Sequence, residues 1–200
     1  MKDSSPHGAP EFASRSGHKL AAALDAFHID PANLVCADLG SHVGGFVDCL
    51  LRRGAARVYS VDTCYGTLAW RLRRDARVTV CERTNALHFA PPETVALVTI
   101  DVGWTKQRLI LESARKMLQP DGAIITLVKP HYESSADCLV NGVLPDAELA
   151  TTVDRVLNSV ADLGLAAVGQ IESPIRGHGG NREVLAHLVQ RSNFKVDPNR

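Results

Sequence analysis

Two hundred residues with 45% hydrophobic side chains suffice for one well-buried domain and leave little for a second. Lys+Arg and Asp+Glu balance at 22 each, which excludes a global basic field that would hold nucleic acid unspecifically. No apolar run approaches the roughly 18 residues of a membrane span and no signal peptide is present, so neither membrane insertion nor secretion is expected.

The opening stretch, MKDSSPHGAPEF, is polar and rich in Pro and Gly, and residues 1–12 are set aside as a flexible tail. SGHKLAAALDAFHI then places Leu20, Leu24 and Phe27 at helical spacing, opened by Ser16 as a candidate cap and closed before Pro31. Seven apolar runs read as strands: NLVCADL, RVYSVD, RVTVCE, VALVTID, AIITLVK, LAAVGQIE and EVLAHLVQ. Between them helices are predicted near 45–53, 66–74, 105–118 and 146–163. The last is the clearest, with Leu149, Val153, Val156, Leu157, Val160 and Leu163 on one stripe and Gly164 at the stop position. Strands nearly continuous in Val, Ile, Leu and Ala are buried on both faces, which points to a parallel sheet covered by helices. The final two strands follow each other without a helix, so the last strand is expected to be antiparallel. The predicted fold is α/β, a doubly wound, mostly parallel seven-stranded sheet with its last strand reversed. It is assigned to residues 13–192, with 193–200 as a C-terminal tail.

In such sheets the ligand lies beyond the carboxyl ends of the strands, near the switch in strand order. The first strand ends in Asp38 and a turn carrying Gly40, Ser41, Gly44, Gly45 and Phe46. Its G-x-x-x-G-G spacing departs from the dinucleotide fingerprint, and a carboxylate just ahead of the turn would repel a pyrophosphate. A nucleotide-like cation with an amine and a sulfonium, S-adenosylmethionine, fits that acid; an ordinary strand-to-helix turn is the alternative. The second strand ends in Asp62, where an acid commonly binds the hydroxyls of an adenosine ribose. The third runs into ERTNAL, offering Glu82 and Asn85 to an adenine edge. The fourth ends in Asp101 and the fifth in Lys129, either a catalytic pair or a solvated ion pair.

Five cysteines, with no C-x-x-C spacing, suggest neither a disulfide framework nor a zinc site, and no metal is expected. The cytoplasm is the expected compartment. Sixteen of the cations are arginine and six are lysine, so each lysine carries weight.

In order and spacing, FASRSGHKL, DLGSHVGGFVDCLLRRGA, VYSVDTCYGTLAWRLRRDARV, ERTNA, TIDV, LVKPHYE and SPIRGHGGNREVLAHL resemble the TlyA family. These are haemolysin-A-like ribosomal RNA 2'-O-methyltransferases whose catalytic domain is similar to that of FtsJ/RrmJ. The resemblance spans residues 12 to 190 and implies a Rossmann-like, S-adenosylmethionine-dependent fold with a Lys-Asp-Lys-Glu catalytic set. Those positions are Lys19, Asp101, Lys129 and Glu183 in this sequence. Methyl transfer to a ribose 2'-hydroxyl is an in-line displacement at an already activated carbon. The protein must supply alignment and stabilisation of the developing alkoxide, and no metal is required. By this resemblance Lys129 meets the hydroxyl as base or charged donor, and Asp101 orients it and borders the methyl donor. Lys19 and Glu183 hold the nucleotide.

Three departures from the family pattern bear on the acceptor. Few residues precede FASRS, so the family's N-terminal RNA-binding domain is expected to be lacking. VGWTKQ stands where VSFISL is typical, with Trp104 as a candidate stacking wall. SSADCLVNGVLPD, after KPHYE, lacks the expected glycine-rich basic character. Arg15, Arg176 and Arg182, neighbours of the catalytic segments, are the RNA phosphate candidates, whereas Arg52, Arg53, Arg71, Arg73 and Arg74 read as solvated helix faces. The expected partner is RNA, of the ribosome or its subunits. A small-molecule methyltransferase, a cofactor-binding domain without catalysis and a membrane-active protein are the competing readings.

Overall fold

The computed structural model describes residues 11–193. Seven strands form one sheet in the order β3-β2-β1-β4-β5-β7-β6: β1 (Val35–Leu39), β2 (Arg57–Val61), β3 (Val78–Cys81), β4 (Val95–Ile100), β5 (Leu118–Val128), β6 (Leu165–Glu172) and β7 (Val184–Gln190). The first five pair in parallel, and β7 runs antiparallel between β5 and β6. The single reversed strand therefore pairs with both neighbours rather than forming an edge. Strand order turns back between β1 and β4, which opens a crevice above their carboxyl ends.

The side chains of the strands divide between two cores. Ala37, Leu39, Val98, Ile100 and Ile124 pack under α4 (Gln107–Met117) and α6 (Asp146–Ser159). Cys36, Val58, Leu97, Ile125 and Leu127 pack under α1 (Ser16–Phe27) and α2 (Gly45–Arg52). Both faces are covered, as the continuous apolar runs require.

Local chemistry fixes several boundaries. The predicted 146–163 helix is α6 plus a 3-10 turn, Val160–Leu163, ended by Gly164 at φ 70°. Ser16 is the first helical residue of α1 and makes no side-chain cap. The stretch predicted as helix 66–74 contains only the short α3 (Trp70–Arg73), because Gly66 takes φ 75° and Leu68 and Leu72 turn inward. A further short helix, α5 (Pro130–Glu133), follows β5. The tail boundary needs correction at Phe12, which is buried in the second core and meets His18 edge-on with ring centroids 4.9 Å apart. The remaining tail residues, 1–10 and 194–200, lie outside the described residues.

Candidate active site

The carboxyl ends of β1, β2, β4 and β5 and the start of α1 enclose a cavity of about 670 Å³, a size suited to a nucleoside-bearing ligand. β1 delivers Asp38, wholly buried yet bordering the cavity. Its Oδ1 accepts the Thr99 hydroxyl at 2.7 Å, whereas Oδ2 has no hydrogen-bond partner. Burial pushes the Asp38 carboxyl up to about 7, with Asp101 and Asp62 adding like-charge repulsion and the Thr99 and Ser41 hydrogen bonds opposing it. The chain then turns at Gly40, whose φ of 89° excludes most other residues, and a Cβ there would stand 2.7 Å from the Asp101 carbonyl oxygen. Gly40 thus lets the ends of β1 and β4 approach each other. Asp62, at the end of β2, accepts the backbone N–H groups of His42 and Cys64, each at 2.7 Å, which fixes its carboxylate at the cavity wall.

Two cation–carboxylate pairs stand at the other side. Lys129 Nζ lies 2.7 Å from Asp101 Oδ1 and donates to the Val102 carbonyl at 3.0 Å. Both side chains retain some exposure toward the cavity, 15% and 19%. Lys19 Nζ contacts Glu183 Oε2 at 2.5 Å, with the two side chains 9% and 3% exposed. Only Lys19 of that pair borders the cavity; Glu183 sits behind it. The β5–β7 register explains how these groups meet: Val128 pairs with Val184, so the next step along the ladder brings Lys129 and Glu183 opposite each other. Gly177 packs on the Glu183 carboxylate, where a Cβ would come within 2.1 Å of Oε1.

The FtsJ-like methyltransferase model matches residues 12–190, all but a few of the described residues. The chain belongs to the FtsJ-like methyltransferase family. It is 38% identical over 183 residues to YqxC of Bacillus subtilis, covering 88% of this chain and 65% of that one. Against the 16S/23S rRNA (cytidine-2'-O)-methyltransferase TlyA of Mycobacterium tuberculosis it is 40% identical over 182 residues, 88% of this chain and 68% of TlyA. The chain therefore spans about two thirds of the length of these curated relatives. A hemolysin-type protein from Streptococcus thermophilus superposes with a TM-score of 0.89 at 32% identity, covering 96% of this chain and 72% of that one.

Within this FtsJ-like frame, the predicted residues separate into those at the cavity and those that support it. Asp38, Gly40, Ser41, Phe46, Asp62, Asn85, Asp101, Lys129, Lys19 and Arg15 border it. Asn85 also caps the following 3-10 turn through the Leu87 N–H at 3.0 Å. Glu82 does not border it: Arg73 and the Gly66 N–H hold its carboxylate. Gly44 and Gly45 do not border it either. A Cβ on Gly44 would strike Leu72 and Leu68, and one on Gly45 would lie 2.1 Å from Ser16 Oγ and 2.4 Å from Ser14 Oγ. These glycines let Leu68, Leu72, Ser14 and Ser16 approach the start of α2. Arg182 does not border the cavity and is held by Glu172 at 2.5 Å and approached by Asp146 at 3.5 Å. Arg176 is exposed and donates to the Gly180 carbonyl at 3.0 Å, away from the cavity.

Several contributors escape a reading of the sequence. Buried Asp48 accepts the Ala13 N–H at 2.8 Å and pairs with Arg71 and Arg52, pinning the segment that leads into Lys19. Arg52 and Arg71, read as solvated, thus have a structural task. Buried Gln107 donates to the Leu127 carbonyl at 3.1 Å and accepts from Thr126 at 2.7 Å, bracing the strand that carries Lys129. Trp104, 86% exposed and at φ 59°, stacks on Tyr132 at 4.7 Å, and the Lys129 ammonium lies 5.9 Å from the Tyr132 ring centre. The 134–145 stretch closes at Asn141-Gly142, both at positive φ between the paired Val140 and Val143. Asn181 ties that turn to the β6–β7 connection by accepting from the Leu144 N–H and donating to the Gly142 carbonyl. Among the described residues no His, Cys, Asp and Glu side chains cluster as a metal site, and no helix is long and apolar enough to cross a membrane.

Proposed function

We propose that the protein is an S-adenosylmethionine-dependent RNA methyltransferase acting on a ribose 2'-hydroxyl, with cytoplasmic ribosomal RNA as acceptor. The observation that carries this reading is the pairing of Lys129 with Asp101 beside a cavity that Asp38, whose buried Oδ2 has no hydrogen-bond partner, also borders. An orphaned buried carboxylate oxygen is costly unless a donor meets it, and an ammonium supplies one. Asp38 would hold the amino-acid end of the cofactor and Asp62 the ribose hydroxyls, with Asn85 beside the base. When bound, the cofactor supplies a methyl group on a sulfonium, an electrophile that needs no metal.

The chain's own residues then do two things. Lys129 spends hydrogen bonds on Asp101 and the Val102 carbonyl, which fixes the direction of its remaining donor. That donor meets the attacking oxygen, where a positioned ammonium lowers the energy of the alkoxide that develops as the hydroxyl proton passes to solvent. Lys19, neutralised by Glu183, bounds the acceptor side without adding net charge. The stacked Trp104 and Tyr132 present an aromatic face next to Lys129, suited to a nucleobase splayed out of its stack. Arg15, exposed at the rim, and Arg83, whose guanidinium lies 4.2 Å from the Tyr65 ring, add cations without carboxylate partners among the described residues.

Radiolabelled methyl transfer to naked ribosomal RNA, isolated ribosomal subunits and transfer RNA tests the reading. The expected result is label in ribosomal RNA, reduced by about 10²–10⁴-fold in Lys129→Ala and Asp101→Ala. No label in any RNA, despite measurable cofactor binding, would refute it.

A further inference from the structure

The loop from the end of β4 into α4, residues 101–107, lies alongside the segment from the end of β5 through α5, residues 129–133, and the two are joined at four points. At one end Lys129 Nζ meets Asp101 Oδ1 and the Val102 carbonyl. In the middle Trp104 stacks on Tyr132 with ring centroids 4.7 Å apart, and Lys106 Nζ donates to the Tyr132 carbonyl. At the other end the N–H of Gln107, the first residue of α4, donates to Glu133 Oε1 at 2.8 Å. That last contact caps a helix from 26 positions away, since Lys106 at the N-cap position makes no side-chain cap of its own. A carboxylate there accepts an orphan N–H and meets the positive end of the helix dipole. Glu133 is itself held from behind, because its carbonyl accepts from Arg155 Nη2 of α6 at 3.1 Å.

The β4–β5 ladder ends at Ile100 and Thr126, so beyond it these contacts set the spacing of the two segments. Trp104 holds φ 59°, a conformation that a bulky residue keeps only where its surroundings enforce it. The Asp101 N–H is fixed to the Leu39 carbonyl at 3.0 Å, and the Glu133 cap fixes the opposite end of the loop. We propose that Glu133 is a positioning residue for methyl transfer: by capping α4 it sets the register of the two segments. Through them it directs the Lys129 donor and seats the Trp104–Tyr132 face. The inference rests on the reading of Lys129 as the group that meets the ribose hydroxyl. Glu133 does not border the cavity, so its effect passes through Lys129 and Trp104.

Glu133→Ala, Glu133→Gln and Glu133→Asp separate positioning from folding. Loss of a helix cap at this half-buried position should leave the protein folded, with Tm lower by roughly 1–8 °C. Single-turnover methyl transfer at saturating S-adenosylmethionine and ribosomal RNA should fall about 10–10²-fold in Glu133→Ala, the effect of displacing a reacting group by about an ångström. The S-adenosylmethionine dissociation constant should stay within about twofold of wild type, because no wall of the donor side has moved. Glu133→Gln, whose amide oxygen still accepts the Gln107 N–H, should recover most of the rate. Glu133→Asp, one methylene shorter, should not, and it stands in for Glu133→Ala if that variant does not fold. Amide hydrogen exchange of the protein alone reads the same tie without an acceptor. In Glu133→Ala, residues 102–107 and 129–133 should exchange faster than in wild type while β1, β4 and β5 keep their protection. A wild-type transfer rate in Glu133→Ala, a Glu133→Gln protein as slow as Glu133→Ala, or unchanged exchange in both segments would each overturn the inference. Wild-type protein that labels no RNA would instead overturn the ribose-methylation reading, and the exchange measurement would still decide whether Glu133 holds the two segments together.

Discussion

Replacing Lys19 with Met tests whether the second cation–carboxylate pair is internal. The substitution removes the ammonium and leaves Glu183, 3% exposed, with its carboxylate between Gly177 and an apolar side chain. Breaking a buried pair from one side costs about 3–5 kcal/mol, because the remaining charge is desolvated and uncompensated. In a domain of this length each kcal/mol moves Tm by about 2–4 °C, so Lys19→Met should melt roughly 6–20 °C lower. Glu183→Met should cost less, since the Lys19 stem borders the cavity and its ammonium can swing toward water. The double variant Lys19→Met/Glu183→Met leaves no stranded charge and should recover most of the loss, a coupling of about 2 kcal/mol or more. Urea denaturation and thermal melts of the four proteins at one pH and salt concentration read this cycle. Additive losses, or a Lys19→Met protein within about 1 kcal/mol of wild type, would show that the pair is solvated.

Other perturbations address the remaining walls. Gly45→Ala should lower Tm by roughly 2–12 °C in thermal unfolding, since overpacking against Ser14 and Ser16 costs about 1–3 kcal/mol; an unchanged Tm with lost donor binding would return this glycine to the cofactor. Trp104→Ala, exposed and outside the core, should leave stability and donor affinity unchanged while weakening RNA binding roughly 5–150-fold, the value of about 1–3 kcal/mol of base stacking, as read by filter binding. Arg15→Ala should reduce the slope of log affinity against log salt by about one phosphate contact, whereas Arg182→Ala should not.

Pairings close in the pattern of the sequence were legible from it, and those between distant segments were not. Apolar runs marked all seven strands because a sheet covered on both faces demands them, and reading the strand ends then found Asp38, Asp62, Asp101 and Lys129. Lys19 and Glu183, 164 positions apart, came only through resemblance, since no periodicity links a helix start to the last strand. Gly44 and Gly45 were legible only in part, since a glycine signals that something comes close without saying what. Here Leu72, Leu68, Ser14 and Ser16 come close. Of the three arginines, Arg15 does border the cavity, whereas the carboxylate of Glu172 that meets Arg182 lies ten residues away across the β6–β7 connection, a pairing that the sequence pattern does not mark.

The insertion of β7 between β5 and β6 bears on biosynthesis. β6 has no strand partner but β7, and Glu183 reaches Lys19 only as β7 enters the sheet. A chain still emerging from the ribosome can lay down the cavity wall that β1, β2 and β4 supply as soon as those strands exist. The Lys19 side waits for β7, so a chain arrested before Val184 would leave the Lys19–Glu183 pair without the strand that sets it.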